Sequence, residues 1–147
     1  MKKALFLILL AGFVFSACEN ESDLRDDYVG EWNAALTGAV VVTMDNEPLD
    51  EYPVTVDEKV LVSKITSTED GLDIGGMKCT LKGKDLIFED ETSTSSAEGM
   101  QTTITVKRTG TADKNKITIK ETYTGTWNIM MMMSGTISGN TEITLTK

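Results

Sequence analysis

The chain has 147 residues, a formal charge of −9, two cysteines and no histidine. Nucleic-acid recognition needs clustered Lys and Arg, so this charge balance argues against it, and equally against adhesion to anionic lipid headgroups. The absence of histidine removes Ser-His-Asp and Cys-His catalysis, the imidazole general base and nearly all of the usual zinc sites.

The chain opens with Lys2 and Lys3, then an uncharged run, ALFLILLAGFVF, from Ala4 to Phe15. A spanning helix needs ~20 apolar residues. This shorter run has the length of the apolar region of a secretory signal peptide. The small residues Ser16 and Ala17 precede Cys18, an arrangement that resembles the lipobox of bacterial lipoproteins, with Phe15 where Leu is usual. That resemblance implies removal of residues 1–17, lipidation of Cys18 and a membrane anchor worth ~0.8 kcal/mol per buried methylene. The plainer reading is an ordinary signal peptide with an incidental Cys18.

The next stretch, Glu19 to Asp27 (ENESDLRDD), is acidic and poor in apolar residues, which predicts a solvated tether. Acids directly after such a cysteine resemble the surface-export signal of lipoproteins from Bacteroidetes-type bacteria. The implied location is the outer membrane facing outward, with a periplasm-facing placement as the alternative. The expected organisation is a signal peptide (1–17), a lipidated cysteine and tether (18–27), and one domain (28–147) with a single core. With Cys18 acylated, Cys79 has no partner, so no intrachain disulfide is expected.

Strand signals then follow one another. Trp32 to Met44 puts Leu36, Val40, Val42 and Met44 on one parity, and Gly38 among them predicts a bulge or bend. Asp45 to Glu51 reads as a turn, Val54 and Val56 as a short strand, and Val60 to Thr66 as the next. After Leu72 to Ile74, the run Met77 to Lys82 points Met77, Cys79 and Leu81 inward, which makes Cys79 a buried, inert thiol. Gly83-Lys84 turns the chain back into Leu86 to Glu89. Glu91 to Gly99 (ETSTSSAEG) reads as a mobile polar loop.

Thr102 to Arg108 and Lys116 to Thr124 form the clearest hairpin, around a turn at Ala112 to Asn115. Ile104 and Val106 face the core from one arm, and Ile117, Ile119 and Tyr123 from the other. Trp127 to Ser134, a turn at Gly139-Asn140, and Thr141 to Lys147 close the chain. Roughly eight to ten closely connected strands predict an all-β fold with antiparallel neighbours. Closure removes exposed edges, which favours a single antiparallel up-and-down β-barrel of about eight strands over a two-sheet sandwich.

Gly30-Glu31-Trp32 at the start of the first strand resembles the opening Gly-x-Trp of lipocalins, avidins and other calycin barrels. There the tryptophan closes one end of the barrel. Together with the lipobox and acidic tether, the layout resembles small lipocalin-like lipoproteins of Bacteroidetes-type bacteria. A second Gly-x-Trp, at Gly125-Thr126-Trp127, is not required by that pattern.

Several residues carry chemistry. Met130 to Met133, read as strand, would place two thioethers inward as a pliable lining for an apolar ligand, or simply as core. Four consecutive strand residues cannot converge on one copper ion. Asp45, Glu47, Asp50 and Glu51 have carboxylates suited to calcium, but without EF-hand spacing a solvated turn is simpler. Arg108 and Glu121 fall on inward parity, either to orient a polar ligand group or as wetted charges near a barrel mouth.

The expected function is binding of a small, largely apolar ligand through Trp32, Arg108, Tyr123, Met130 and Met132. No catalytic residue, metal, cofactor or nucleic-acid partner is expected. The alternative is a solid-cored interaction module of the cell envelope, either an accessory subunit or a protease inhibitor. A carboxylate-only enzyme would need a defined acid pair, and the sequence singles none out.

Overall fold

The computed structural model describes residues 23–45, 47–65, 70–130 and 132–147, with the side chains of residues 50, 52 and 54–57 also outside that description. The signal segment, Cys18 and Met131 therefore lie outside the described residues. A short 3-10 turn, Leu24–Asp27, precedes nine strands. They are β1 (Gly30–Met44), β2 (Glu47–Lys64), β3 (Gly71–Ile74), β4 (Met77–Lys82), β5 (Asp85–Phe88), β6 (Glu91–Ala97), β7 (Met100–Asp113), β8 (Lys116–Ile129) and β9 (Met133–Thr146). No α-helix occurs among the described residues.

All pairings are antiparallel, in the order β5-β4-β3-β2-β1-β9-β8-β7-β6, and β5 also pairs with β7. Eight strands thus close a ring, and β6 hangs from β7 outside it. The ring is complete at one end only. There β3 pairs with Val62–Lys64 of β2, and β5 with Thr109–Thr111 of β7. Past these contacts β2, β1, β9, β8, β7 and β6 run on as an open sheet, and among the described residues no strand continues the rows of β3 and β4.

The core fills the closed end. Trp32, Val62, Leu72, Ile74, Ile117, Ile119 and Leu145 are each at most 1% exposed. All sit on inward positions of alternating strands, and burial of each contributes about 1.5–3 kcal/mol. The Trp32 indole donates to the Tyr28 carbonyl at 2.8 Å, and the Lys147 ammonium lies 5.1 Å from the ring centre. Lys147 also donates to the Asp27 carbonyl, so the two ends of the domain clamp each other.

Residues 23–27 belong to this closed end, which corrects their assignment to a solvated tether. Arg25 donates to the Ile65 carbonyl and to Asp23, and Lys64 pairs with both Asp23 and Asp26. Hydrogen bonds from Arg25 and then Lys64 hold the Asp23 carboxyl well below the usual carboxylate range. The acids that make this stretch look solvated are the groups that dock it.

Three further expectations change. Glu47 to Lys64 is one strand, where a turn and two strands were expected, and only the Val42/Thr43 register shift marks the irregularity against β1. Glu91 to Ala97 is strand β6, not a loop. It lacks apolar alternation because all of its residues are exposed, and it is held by threonine pairs, Thr92–Thr105 at 2.9 Å and Thr94–Thr103 at 3.1 Å. The strand expected over Trp127–Ser134 is instead the β8–β9 hairpin. Met130 takes a positive φ of 48° and Met132 N–H donates to the Ile129 carbonyl. Gly139, expected as a turn, lies within β9 opposite Val40 and Tyr123.

The glycines inside the long strands are bending points. Gly38 has φ 150° and unbroken pairing on both sides, so it is a bend and not a bulge. At Gly135 a Cβ would meet the Thr43 carbonyl oxygen at 1.8 Å and Trp127 Nε1 at 2.6 Å. Trp127 lies across this glycine and donates from Nε1 to Thr43 O at 3.0 Å, tying β8 to β1 over β9. This cross-strand covering of a glycine by an aromatic ring is a known device for curved sheets. Gly135→Ala is therefore expected to cost about 3 kcal/mol, read as a lower urea midpoint with a changed Trp127 emission. An unchanged midpoint would contradict the close approach.

Candidate functional site

The inward row of the ring changes character midway. Toward the closed end it is apolar, and then β7, β8 and β9 contribute Arg108, Glu121 and Thr141 at neighbouring positions. Register alone brings the three together, because Arg108 pairs with Glu121 and Glu121 with Thr141. Tyr123, two residues along β8, shares their face.

Glu121 is the centre of the group and only 5% exposed. Its Oε1 accepts from Arg108 Nε at 2.7 Å, and its Oε2 accepts from Tyr123 OH at 2.6 Å and Thr141 OH at 2.8 Å. Arg108 also donates through Nη1 to Glu91 Oε2 at 2.8 Å, at the start of β6. Among the described residues no buried side-chain nitrogen or oxygen lacks a partner. A buried ion pair is stable only with its remaining lone pairs and protons satisfied, and both Glu121 oxygens meet that condition.

Burial alone would push the Glu121 carboxyl up. Hydrogen bonds from Tyr123, Arg108 and Thr141 outweigh it and hold the carboxyl below its ordinary value. Burial, reinforced by donation to Glu121, raises the Tyr123 phenol. The site thus holds a carboxylate and a guanidinium that neutralise each other, with no group poised near neutral pH. General acid–base chemistry wants a group with a pKa near the working pH, so this arrangement suits holding three strands together better than proton transfer.

Beside the cluster, the ring interior keeps an apolar hollow of about 160 Å³, lined by Leu36, Val60, Ile74, Met77 and Ile143 among others. Pockets for drug-sized ligands run to ≈ 300–1,000 Å³. A larger cleft, about 560 Å³, opens on the wall where β6 leaves β5, between Met77, Phe88, Glu89, Asp90, Glu91 and Arg108. It joins the free edge of β6 to the gap left by the short β4.

Of the five residues expected to touch an apolar ligand, the structure unites only Arg108 and Tyr123. Trp32 lies in the core of the closed end. Met130 and Met132 are at the β8–β9 hairpin tip, 68% and 85% exposed. Met130 packs against Gly99 of the neighbouring hairpin and donates its amide to the Gly99 carbonyl. Met130, Met132 and Met133 are therefore surface residues.

Cys79 is buried, its thiol donating to the Leu72 carbonyl at 3.5 Å, and burial pushes it up to about 11. The second tryptophan, Trp127, caps the inner face at the end opposite Trp32. Among the described residues no group of three or more acidic or cysteine side chains is placed to hold a metal ion, and the side chain of Asp50 lies outside them. The inward parity of Arg108 and Glu121 was readable, whereas Thr141, twenty residues further along, becomes their partner only through the β8–β9 register.

Glu121→Ala leaves Arg108 half-buried with only the exposed Glu91 as counter-ion, and is expected to cost about 3 kcal/mol in urea denaturation. The double change Arg108→Met with Glu121→Leu should cost clearly less, because no charge is then stranded. Because the folded-state value of Glu121 lies below its ordinary 4.5, its contribution is complete above that pH. It is lost as pH falls further toward the folded-state value. Wild-type stability should therefore drop below about pH 4.5 more steeply than that of the double variant. Parallel pH profiles would contradict the linkage.

In comparisons of the chain, no protein-family model, no curated protein and no solved structure matches it.

Proposed function

We propose that the chain is a lipid-anchored envelope protein whose lipocalin-like, up-and-down barrel serves as a solid-cored module for docking another protein. The observation that carries this is the filled interior. Core side chains occupy the closed end, and the Arg108–Glu121–Tyr123–Thr141 cluster ties the wall together midway, leaving about 160 Å³ of apolar space. A carrier needs an enclosed volume to take its ligand out of water. An interaction module needs a rigid scaffold with an open surface, and the unclosed half of the sheet supplies one.

The lipobox-like Phe15-Ser16-Ala17-Cys18 supports anchoring at Cys18, and the acids after it support exposure on the cell surface. Cys18→Ser should abolish incorporation of radiolabelled palmitate and move the protein from the membrane pellet to the soluble fraction. Retained label would refute anchoring at this cysteine.

A photo-crosslinking residue at Thr94, in the open half, should give a discrete protein adduct in intact envelopes. One at Glu31, on the closed end, should give none. Adducts from neither position, together with a co-purifying small molecule in native mass spectrometry, would overturn the docking reading. That result would favour the second one, in which the apolar hollow holds a small group. The hollow matches an apolar cavity of about 150 Å³, which admits a molecule of benzene size.

A further inference from the structure

The open half of the sheet has two free edges, and they are protected very differently. The β2 edge, Glu47 to Lys59, carries Pro48 and Pro53 and several acids. Prolines and charges of this kind are the devices by which edge strands avoid pairing. The β6 edge, Glu91 to Ala97, has neither proline nor lysine. Its register with β7 runs unbroken from Glu91↔Val106 to Ala97↔Met100, so no bulge bends it away. One side of β6 is bonded to β7, and among the described residues no strand covers the other.

A strand laid on that edge would continue the row of β4, which ends at Met77 beside the 560 Å³ cleft. It would fill one of the two rows missing from the open wall. Its inward side chains would lie over the half-buried Ile104 and Val106 of β7, next to the small inward Ser93 and Ser95. Larger apolar residues fit that position, because β6 leaves the space unfilled. Its outward side chains would meet Thr92 and Thr94, which already pair in this manner with threonines of β7.

The charges choose the occupant. Glu91 is paired with Arg108 and Asp90 with Lys107. Glu89 and Glu98, at the two ends of the edge, have no salt-bridge partner among the described residues. A second copy pairing antiparallel about Thr94 would set Glu98 against Asp90 at both ends, and like charges directly opposite are destabilising. A segment with Lys or Arg at each end meets a carboxylate at each end instead.

Resting on the docking reading above, we infer that β6 receives, by strand addition, an extended segment of a partner protein with alternating apolar and polar residues and basic ends. Main-chain hydrogen bonds give such complexes their affinity, and alternate side chains give specificity.

The test uses the detergent-solubilised full chain and two ten-residue peptides of alternating threonine and valine, one with lysine and one with glutamate at both ends. The lysine peptide should bind roughly tenfold tighter at low salt. It should also slow hydrogen exchange of the Glu91–Ala97 amides. The double variant Glu89→Lys with Glu98→Lys changes only exposed positions and should reverse the preference. Equal affinity for the two peptides, protection mapping to β2 or the methionine tip, or no binding would each overturn strand addition at β6. A discrete Thr94 adduct in envelopes alongside such a result would leave the docking reading standing and remove only this mode.

Discussion

Three residue pairs between β5 and β7 determine the shape of this molecule. Asp85↔Thr111, Leu86↔Gly110 and Ile87↔Thr109 join the two ends of the meander into a ring. The contact is tight because position 110 is a glycine. A Cβ there would lie 3.0 Å from the Thr118 carbonyl oxygen and 3.2 Å from the Leu86 side chain. Since β5 takes the inner part of the β7 edge, β6 is left with the outer part, and the chain must pass through Glu89-Asp90 to reach it. The closed end, the open wall, the cleft between them and the free edge of β6 all follow from that division of one strand edge.

Closure also explains where the polar cluster sits. A closed ring excludes water from its interior, so side chains there must be apolar or fully bonded. At the closed end the inward row is apolar throughout. One step beyond, Glu121 is buried with both carboxylate oxygens bonded and a guanidinium alongside. Farther out, apart from Trp127 lying across Gly135, the inward residues are half-exposed or exposed, and a carboxylate would need no such company. The cluster marks the depth at which the ring stops excluding solvent. Its ion pair owes its stability to the completeness of the hydrogen bonding, since charge attraction alone seldom offsets desolvation.

Much of this was legible in the sequence, for a physical reason. Alternation reports which face a residue occupies, and it gave the inward sets of β4, β7 and β8 correctly, including Cys79, Ile117 and Ile119. It also put Arg108 and Glu121 inside. It failed where burial does not alternate. Strand β6 is exposed on both faces, so its serines and threonines read as a loop. The methionine run read as strand because its residues are apolar, and no glycine or asparagine advertised the turn at Met130. Gly139 misled in the opposite direction. Its role is to let the chain approach Ala39, where a Cβ would stand 2.4 Å from the carbonyl oxygen. Register is non-local, so neither Thr141 as a partner of Glu121 nor Thr43 as a partner of Trp127 could be read from spacing.

The two edges of the open sheet are protected by different means. An unclosed sheet invites indiscriminate pairing. On β2 the prolines remove amide donors outright, a block that acts on every incoming strand alike. On β6 the backbone stays available and carboxylates stand at its ends. Electrostatic protection is selective, because it repels acidic strands and attracts basic ones. In a chain of net charge −9 a second copy brings the same acids to the same edge. Acids at both ends of a Ser/Thr edge therefore discourage self-association while leaving the hydrogen-bonding row intact. The sequence that looked featureless, ETSTSSA, is unobstructed because its protection lies at Glu89 and Glu98, just outside it.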